Sequence, residues 1–66
     1  MRIKLEPRFV NRLLEQPESG IGYQRVDIRL VDGRELKDVV VFNAEEAEVP
    51  DEFAHAKIAD VRLHAA

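Results

Sequence analysis

Tyr23-Gln24-Arg25-Val26-Asp27-Ile28-Arg29-Leu30-Val31-Asp32-Gly33-Arg34-Glu35-Leu36-Lys37-Asp38-Val39-Val40-Val41-Phe42 is the stretch that decides the fold. Val26, Ile28 and Leu30 alternate with Arg25, Asp27 and Arg29, the period of a half-buried strand. Asp32-Gly33 interrupts the run and a second apolar run follows, so the whole reads as a β-hairpin. Its charges choose between two registers. A tight Asp32-Gly33 loop sets Ile28 against Lys37 and Leu30 against Glu35, core residues against charges. A longer loop, Val31-Asp32-Gly33, with Gly33 left-handed at a bulge, pairs Leu30 with Arg34 and Ile28 with Leu36. On the outer face it sets Arg29 against Glu35 and Asp27 against Lys37, both opposite-charge pairs. The bulged register is therefore expected.

Outward from the hairpin, Ile3 and Leu5 flank Lys4 as a short opening strand. A helix over about residues 7–16 follows, with Pro7 in the first turn where its missing N–H is not needed. Phe9, Val10, Leu13 and Leu14 fall on one helical face, and Arg8, Asn11, Arg12 and Glu15 on the other. Pro17 ends it, since a residue before proline avoids the α region. Pro17 to Gly22 is a turn-rich connection into the strand at Tyr23. Val39-Val40-Val41-Phe42 is apolar on both faces, which implies either cover on both sides or a strand bent enough to serve two sheets. Asn43-Ala44 reads as a turn, and Glu46 to Val49 as a third, edge-like strand whose acids discourage pairing. Phe53 follows Pro50-Asp51-Glu52 as a plug for one end of the core. On a last strand over about 58–63, Ile58 closes the turn and Ala59, Val61 and Leu63 point inward. His64-Ala65-Ala66 is expected to fray.

The chain has 66 residues and no cysteine. That is one domain, 1–66, with a small core and no disulfide to reinforce it, so self-association as a homo-oligomer is a reasonable expectation. No apolar run is long enough to span a membrane, and the N-terminus has no apolar signal core. The expected location is cytoplasmic, with no membrane partner. Net charge is −3, with residues 1–34 at +2 and residues 35–66 at −5. An acidic total argues against a nucleic-acid partner, which calls for a basic footprint.

Motifs that would carry chemistry are absent or incomplete. His55 and His64 stand nine residues apart with no cysteine, so no metal site is expected. Glu45, Glu46, Glu48, Asp51 and Glu52 form the densest acidic cluster, but a calcium loop needs a central glycine and Pro50 interrupts here. Its functional reading is a surface for a basic partner protein. Gly20-Ile21-Gly22 is half of a dinucleotide fingerprint, followed by a strand where a helix is required. Ser19 lacks a nucleophile-elbow context. No catalytic residue and no cofactor are implied. Tyr23, Arg25 and Arg34 form an alternative, nucleic-acid-binding face, a basic surface beside an aromatic ring. In the bulged register Arg29 is paired, and only Arg25 and Arg34 keep free charge.

Pro17-Glu18-Ser19-Gly20-Ile21-Gly22-Tyr23-Gln24, the Leu30-Val31-Asp32-Gly33-Arg34 turn with Val39-Val40-Val41, and Ile58-Ala59-Asp60-Val61 together resemble a group of short bacterial proteins. These look like small, bent-strand barrels of the SH3-like or Sm-like kind. The resemblance implies a fold and no activity. It lacks the aromatic-rich groove of peptide-binding SH3 domains and the nucleotide-stacking loop of ring-forming Sm proteins. The expectation is an α+β domain, one N-terminal helix packed on a strongly bent antiparallel sheet or SH3-like barrel of four to five strands. Its expected role is a non-catalytic protein-interaction module or accessory subunit, with an RNA- or single-strand-binding barrel as the alternative.

Overall fold

The hairpin takes the bulged register in a computed structural model, which describes residues 1–65. Ile28 lies opposite Leu36 and Arg29 opposite Glu35. The Leu30 N–H donates to the Arg34 carbonyl at 2.8 Å, and the Gly33 N–H to the Leu30 carbonyl at 3.0 Å. Gly33 has φ +95°, a conformation that a Cβ disfavours. A second bulge, not foreseen, lies deeper in the hairpin. Between the Val26–Val39 and Ile28–Leu36 pairs, Asp27 faces both Lys37 and Asp38. Asp38 is left-handed at φ +57°, a region aspartate tolerates better than most residues. Without that extra residue Val26 would face Asp38, and Val39 and Val41 would point outward. With it, Val39 and Val41 turn into the core. Val40 and Phe42 sit half-buried on the opposite face, where the Arg2 guanidinium lies 4.1 Å from the Phe42 ring centroid. The run apolar on both faces is thus buried on one and half-covered on the other.

Chain order is β1 (Arg2–Lys4), α1 (Pro7–Leu14), β2 (Tyr23–Leu30), β3 (Glu35–Phe42), β4 (Glu46–Glu48), a 3₁₀ turn (Asp51–Phe53) and β5 (Ile58–Leu63). The strands form one antiparallel sheet in the order β1-β4-β3-β2-β5, curled into a half-barrel. Phe9 and Leu13 of α1 and Val26, Ile28, Val41 and Val61 of the sheet are the largest fully buried side chains, within one core cluster.

Several expectations need correction. Glu46–Glu48 is not an edge, because β1 pairs with its far side, Ile3 opposite Ala47. The edges are β1 and β5. Ala59 is exposed rather than inward: Leu30 faces Ile58 and Arg29 faces Asp60, which leaves Ala59 as the extra residue of a third irregularity. Leu14 is 66% exposed, not on the inward face. The helix stops there, two residues short of the expected end. Nor does His64 fray: its N–H donates to the Arg25 carbonyl at 2.9 Å, which continues the β5–β2 ladder. Ala66 lies outside the described residues.

The helix end is held from the sheet. Gln24 occupies an inward position of β2, in the same alternation as Val26 and Ile28, and is only 3% exposed. Its Nε2 donates to the carbonyls of Leu13 at 2.9 Å and of Gln16 and Pro17 at 3.3 Å. The last carbonyls of a helix have no partner within it. Here the Leu13 carbonyl takes the Gln16 N–H at 3.0 Å and, from the strand, the Gln24 amide as a second donor, which ties α1 to the start of β2. After β3 the chain reverses through Asn43 (φ +53°) and Ala44 (φ +61°), with the Glu45 N–H donating to the Phe42 carbonyl at 3.0 Å. Two successive left-handed residues make this a type I′ turn.

Gln24→Leu removes the buried amide's hydrogen bonds while Leu13 keeps the Gln16 N–H, and is expected to destabilise the protein by about 0.5–1.5 kcal/mol, read as a lower urea midpoint. Gly33→Ala meets open space, with no atom within 4 Å of the new Cβ, so its cost is conformational alone. A loss of about 1–2 kcal/mol is expected for it, without change in the urea m-value.

Candidate functional site

The connection between α1 and β2 is a fixed loop rather than a slack linker. The Glu18 carboxylate accepts the Gly22 N–H at 2.8 Å, and Ser19 Oγ accepts the Arg25 N–H at 2.8 Å. The Ser19 N–H donates back to the Tyr23 carbonyl at 3.0 Å, and the Gly22 carbonyl accepts the Asn43 N–H at 2.9 Å. Gly20 lies flat against the Tyr23 ring, so closely that a Cβ would run into it. Glu18, Ser19 and Gly20 thus act on backbone geometry, which a search for catalytic patterns does not reveal. Their effect is to hold Ile21 at the tip fully exposed, at 102% of its reference area.

Beside this tip runs an open groove of about 500 Å³, lined by Leu13, Leu14, Gln16, Glu18, Tyr23, Gln24, Asn43 and Ala44. Its walls come from the helix end, the loop and the type I′ turn. Leu14, 66% exposed, lines this groove, and Ile21 stands in the loop between two other lining residues, Glu18 and Tyr23. Neither Leu14 nor Ile21 was foreseen as a surface residue of interest. The signal in the sequence was an isoleucine between two glycines.

The acidic cluster is spread over separate tasks. Glu46 faces Arg2 at 3.8 Å, and Glu48 and Asp51 lie 2.9 and 3.6 Å from the Met1 amino group. Among the described residues Glu45 and Glu52 make no ion pair within 4.0 Å. Glu45 lines a different groove, with Lys4 and Asn11.

The alternative face is likewise neutralised, contrary to the expectation that Arg25 and Arg34 keep free charge. Arg25 forms a two-pronged pair with Asp38, its Nε 2.6 Å from Oδ1. This pairing depends on the second bulge, which swings Asp38 toward β2. Arg34 pairs with Asp32 at 2.8 Å and lies 5.2 Å over the Phe53 ring. Tyr23 is half-buried against Gly20. Arg29, expected to meet Glu35, makes no ion pair within 4.0 Å among the described residues, and Lys37 takes Glu35 at 3.2 Å.

One carboxylate on this face is well enclosed. Asp27 accepts the Asp38 N–H at 2.9 Å and lies 2.8 Å from His64 Nδ1 and 3.8 Å from Lys37 Nζ. Its pKa is held below the usual carboxylate value, first by the Asp38 N–H and then by His64. An ionised carboxylate only accepts, so Nδ1 of His64 carries the proton in this pair. Asp60 is likewise held low, by the Arg12 guanidinium. His55 is exposed on the far side of the 3₁₀ turn. Among the described residues no three His, Cys, Asp or Glu side chains gather as a metal-binding set. Among the described residues no helix is long and apolar enough to cross a membrane.

No family model, curated protein or solved structure compared with the chain matches it.

The Asp27 pair sets an acid sensitivity. A carboxylate whose pKa is lowered by folding contributes stability that is present above its unfolded pKa and lost as pH falls through the folded one. The unfolding free energy is expected to fall as pH drops below about 4. Asp27→Asn should be less stable than wild type at neutral pH, and the gap should close on acidification. Urea midpoints across pH 2–7, about five units, measure both.

Proposed function

We propose that this protein is a non-catalytic protein-interaction module whose contact centre is the loop Glu18–Gly22 and the groove beside it. The observation that carries the reading is Ile21, an aliphatic side chain wholly exposed on a loop that hydrogen bonds hold at both ends. Single exposed apolar residues are ordinary on protein surfaces. A fixed one is different, because it can be buried by a partner without the entropic cost of ordering a loop. Leu14, Leu13 and Ala44 supply apolar lining to the groove whose wall includes Glu18 and Tyr23 of the same loop.

Support for the acidic strand as the partner surface is thinner. Its strand lies inside the sheet, and three of its five acids already face cations of the same chain. The single-strand-binding alternative has less support for a parallel reason, the pairing of Arg25 and Arg34. As to family, the curled five-stranded sheet favours reading the fold as a small bent-strand barrel of the SH3-like or Sm-like kind. No partner or activity follows from that likeness.

Burying an isoleucine side chain is worth about 1.5–3 kcal/mol, so its replacement by aspartate should weaken a partner about tenfold or more. Quantitative affinity capture from the host, comparing wild type, Ile21→Val and Ile21→Asp, checks this. At least one protein should be retained by the valine variant and lost by the aspartate variant. Identical protein sets for all three would remove the loop from consideration.

A further inference from the structure

The curled sheet leaves two strand edges, β1 and β5, and a second groove of about 440 Å³ runs between them. Ile3 and Lys4 line it from β1, Ile58 from the start of β5 and Lys57 from the residue before it. Glu6 and Arg8 at the head of α1, Val31 of the hairpin loop, and Ala54 and Ala56 after the 3₁₀ turn complete its walls. It shares only Lys4 with the groove beside Asn11 and nothing with the groove beside Ile21.

Its charge is one-sided. Lys4, Arg8 and Lys57 carry three cations against the single acid Glu6, which is paired with Arg8 at 2.9 Å. Among the described residues Lys4 and Lys57 make no ion pair within 4.0 Å, although the chain as a whole is acidic. Both side chains are exposed, as is Val31 at 65%. The groove therefore presents the ammonium groups of Lys57 and of Lys4, the latter opposite Glu46 on β4 but not ion-paired with it, across an apolar strip of Val31, Ala54, Ala56 and Ile58.

Its backbone is open too. Met1 and Val49 exchange both hydrogen bonds, and the Leu5 N–H donates to the Glu45 carbonyl at 2.8 Å. Bonded and non-bonded pairs alternate along an antiparallel ladder, so the N–H and C=O of Lys4 face the free side of β1. On β5 the Ile58 carbonyl has only a long contact, 3.5 Å, from Arg8. Farther along β5 the outward carbonyl of Val61 is covered by Arg12 at 3.1 Å. Protection is thus stronger along the middle of β5 than at the groove, where an edge is left to pair.

We propose that this groove takes an extended, acidic segment of a partner protein, which adds to the sheet edge through its backbone and sets its carboxylates against Lys4 and Lys57. Strand addition supplies the main-chain hydrogen bonds, and the lysines select the charge. A protein segment fits better than a nucleic acid. The lining holds no aromatic ring on which a base could stack, and open strand edges match a peptide backbone rather than a phosphate chain. The site is separate from the Ile21 loop and stands without it.

The probe is a blocked octapeptide of alternating glutamate and valine, titrated into isotopically labelled protein and followed by amide chemical shifts. Shifts should cluster at Ile3, Lys4, Lys57 and Ile58. A Lys4→Glu/Lys57→Glu variant should weaken binding about tenfold, and Ile21→Asp should leave it unchanged. If the reversed charges impair folding, the Lys4→Gln/Lys57→Gln variant should still weaken it, by a smaller factor. The lysine–valine counterpart of the peptide should not bind. Absence of shifts at about 1 mM peptide, shifts centred elsewhere, or equal affinity in a folded double variant would each overturn the proposal. So would an oligothymidylate that occupies the groove more tightly than the peptide.

Discussion

Gln24 is the constraint on which the remaining geometry depends. It stands at a core-facing position of β2, where an apolar residue would ordinarily sit, and its amide reaches the carbonyls of Leu13, Gln16 and Pro17. A helix as short as α1 is marginal alone and persists only through what it packs on. Phe9 and Leu13 supply that packing on one face. Gln24 fixes where the helix stops, and with it where the connection to β2 begins. The Leu13 carbonyl already accepts the Gln16 N–H at 3.0 Å, so Gln24 adds a second, buried donor there and joins it to the half-exposed carbonyls of Gln16 and Pro17.

From that point the consequences run in sequence. A helix that ends at Leu14 leaves Leu14 outside and turns the next residues toward the start of β2. Glu18 and Ser19 then close the loop onto Gly22 and Arg25, and Asn43 ties the neighbouring turn to it. The bulge at Asp38 performs a matching task in the sheet. It returns Val39 and Val41 to the core and, in the same step, delivers a carboxylate to Arg25. One extra residue thus repairs the apolar pattern and removes a free cation from the outer face.

What could be read in the sequence divides along the same lines. The hairpin register was legible because the turn residues and the cross-strand charges point to one answer: Gly33 at the left-handed position, Arg29 opposite Glu35. The bulge at Asp38 was not, since aspartate inside a strand carries no local signal until the strand's partner is known. Gln24 was missed because a glutamine at a strand start looks like a surface residue, and its partners lie 7 to 11 residues earlier. His64 looked like a loose terminus because its anchor, Asp27, is 37 residues away. The acidic cluster stood out in composition, yet which of its members face Arg2 and the Met1 amino group depends on β1 pairing with β4. The Ile21 loop was visible only as a motif too short for a nucleotide. Its importance lies in hydrogen bonds that composition does not encode.

The reading of function rests on a physical condition, that the loop holding Ile21 is as ordered as the strands it joins. An order parameter measured by backbone nitrogen relaxation tests this without any partner in hand. The account predicts values of about 0.85 for Ser19 to Gly22, equal to those of β2 and β3. Values below about 0.6 in that segment, with the strands rigid, would contradict it.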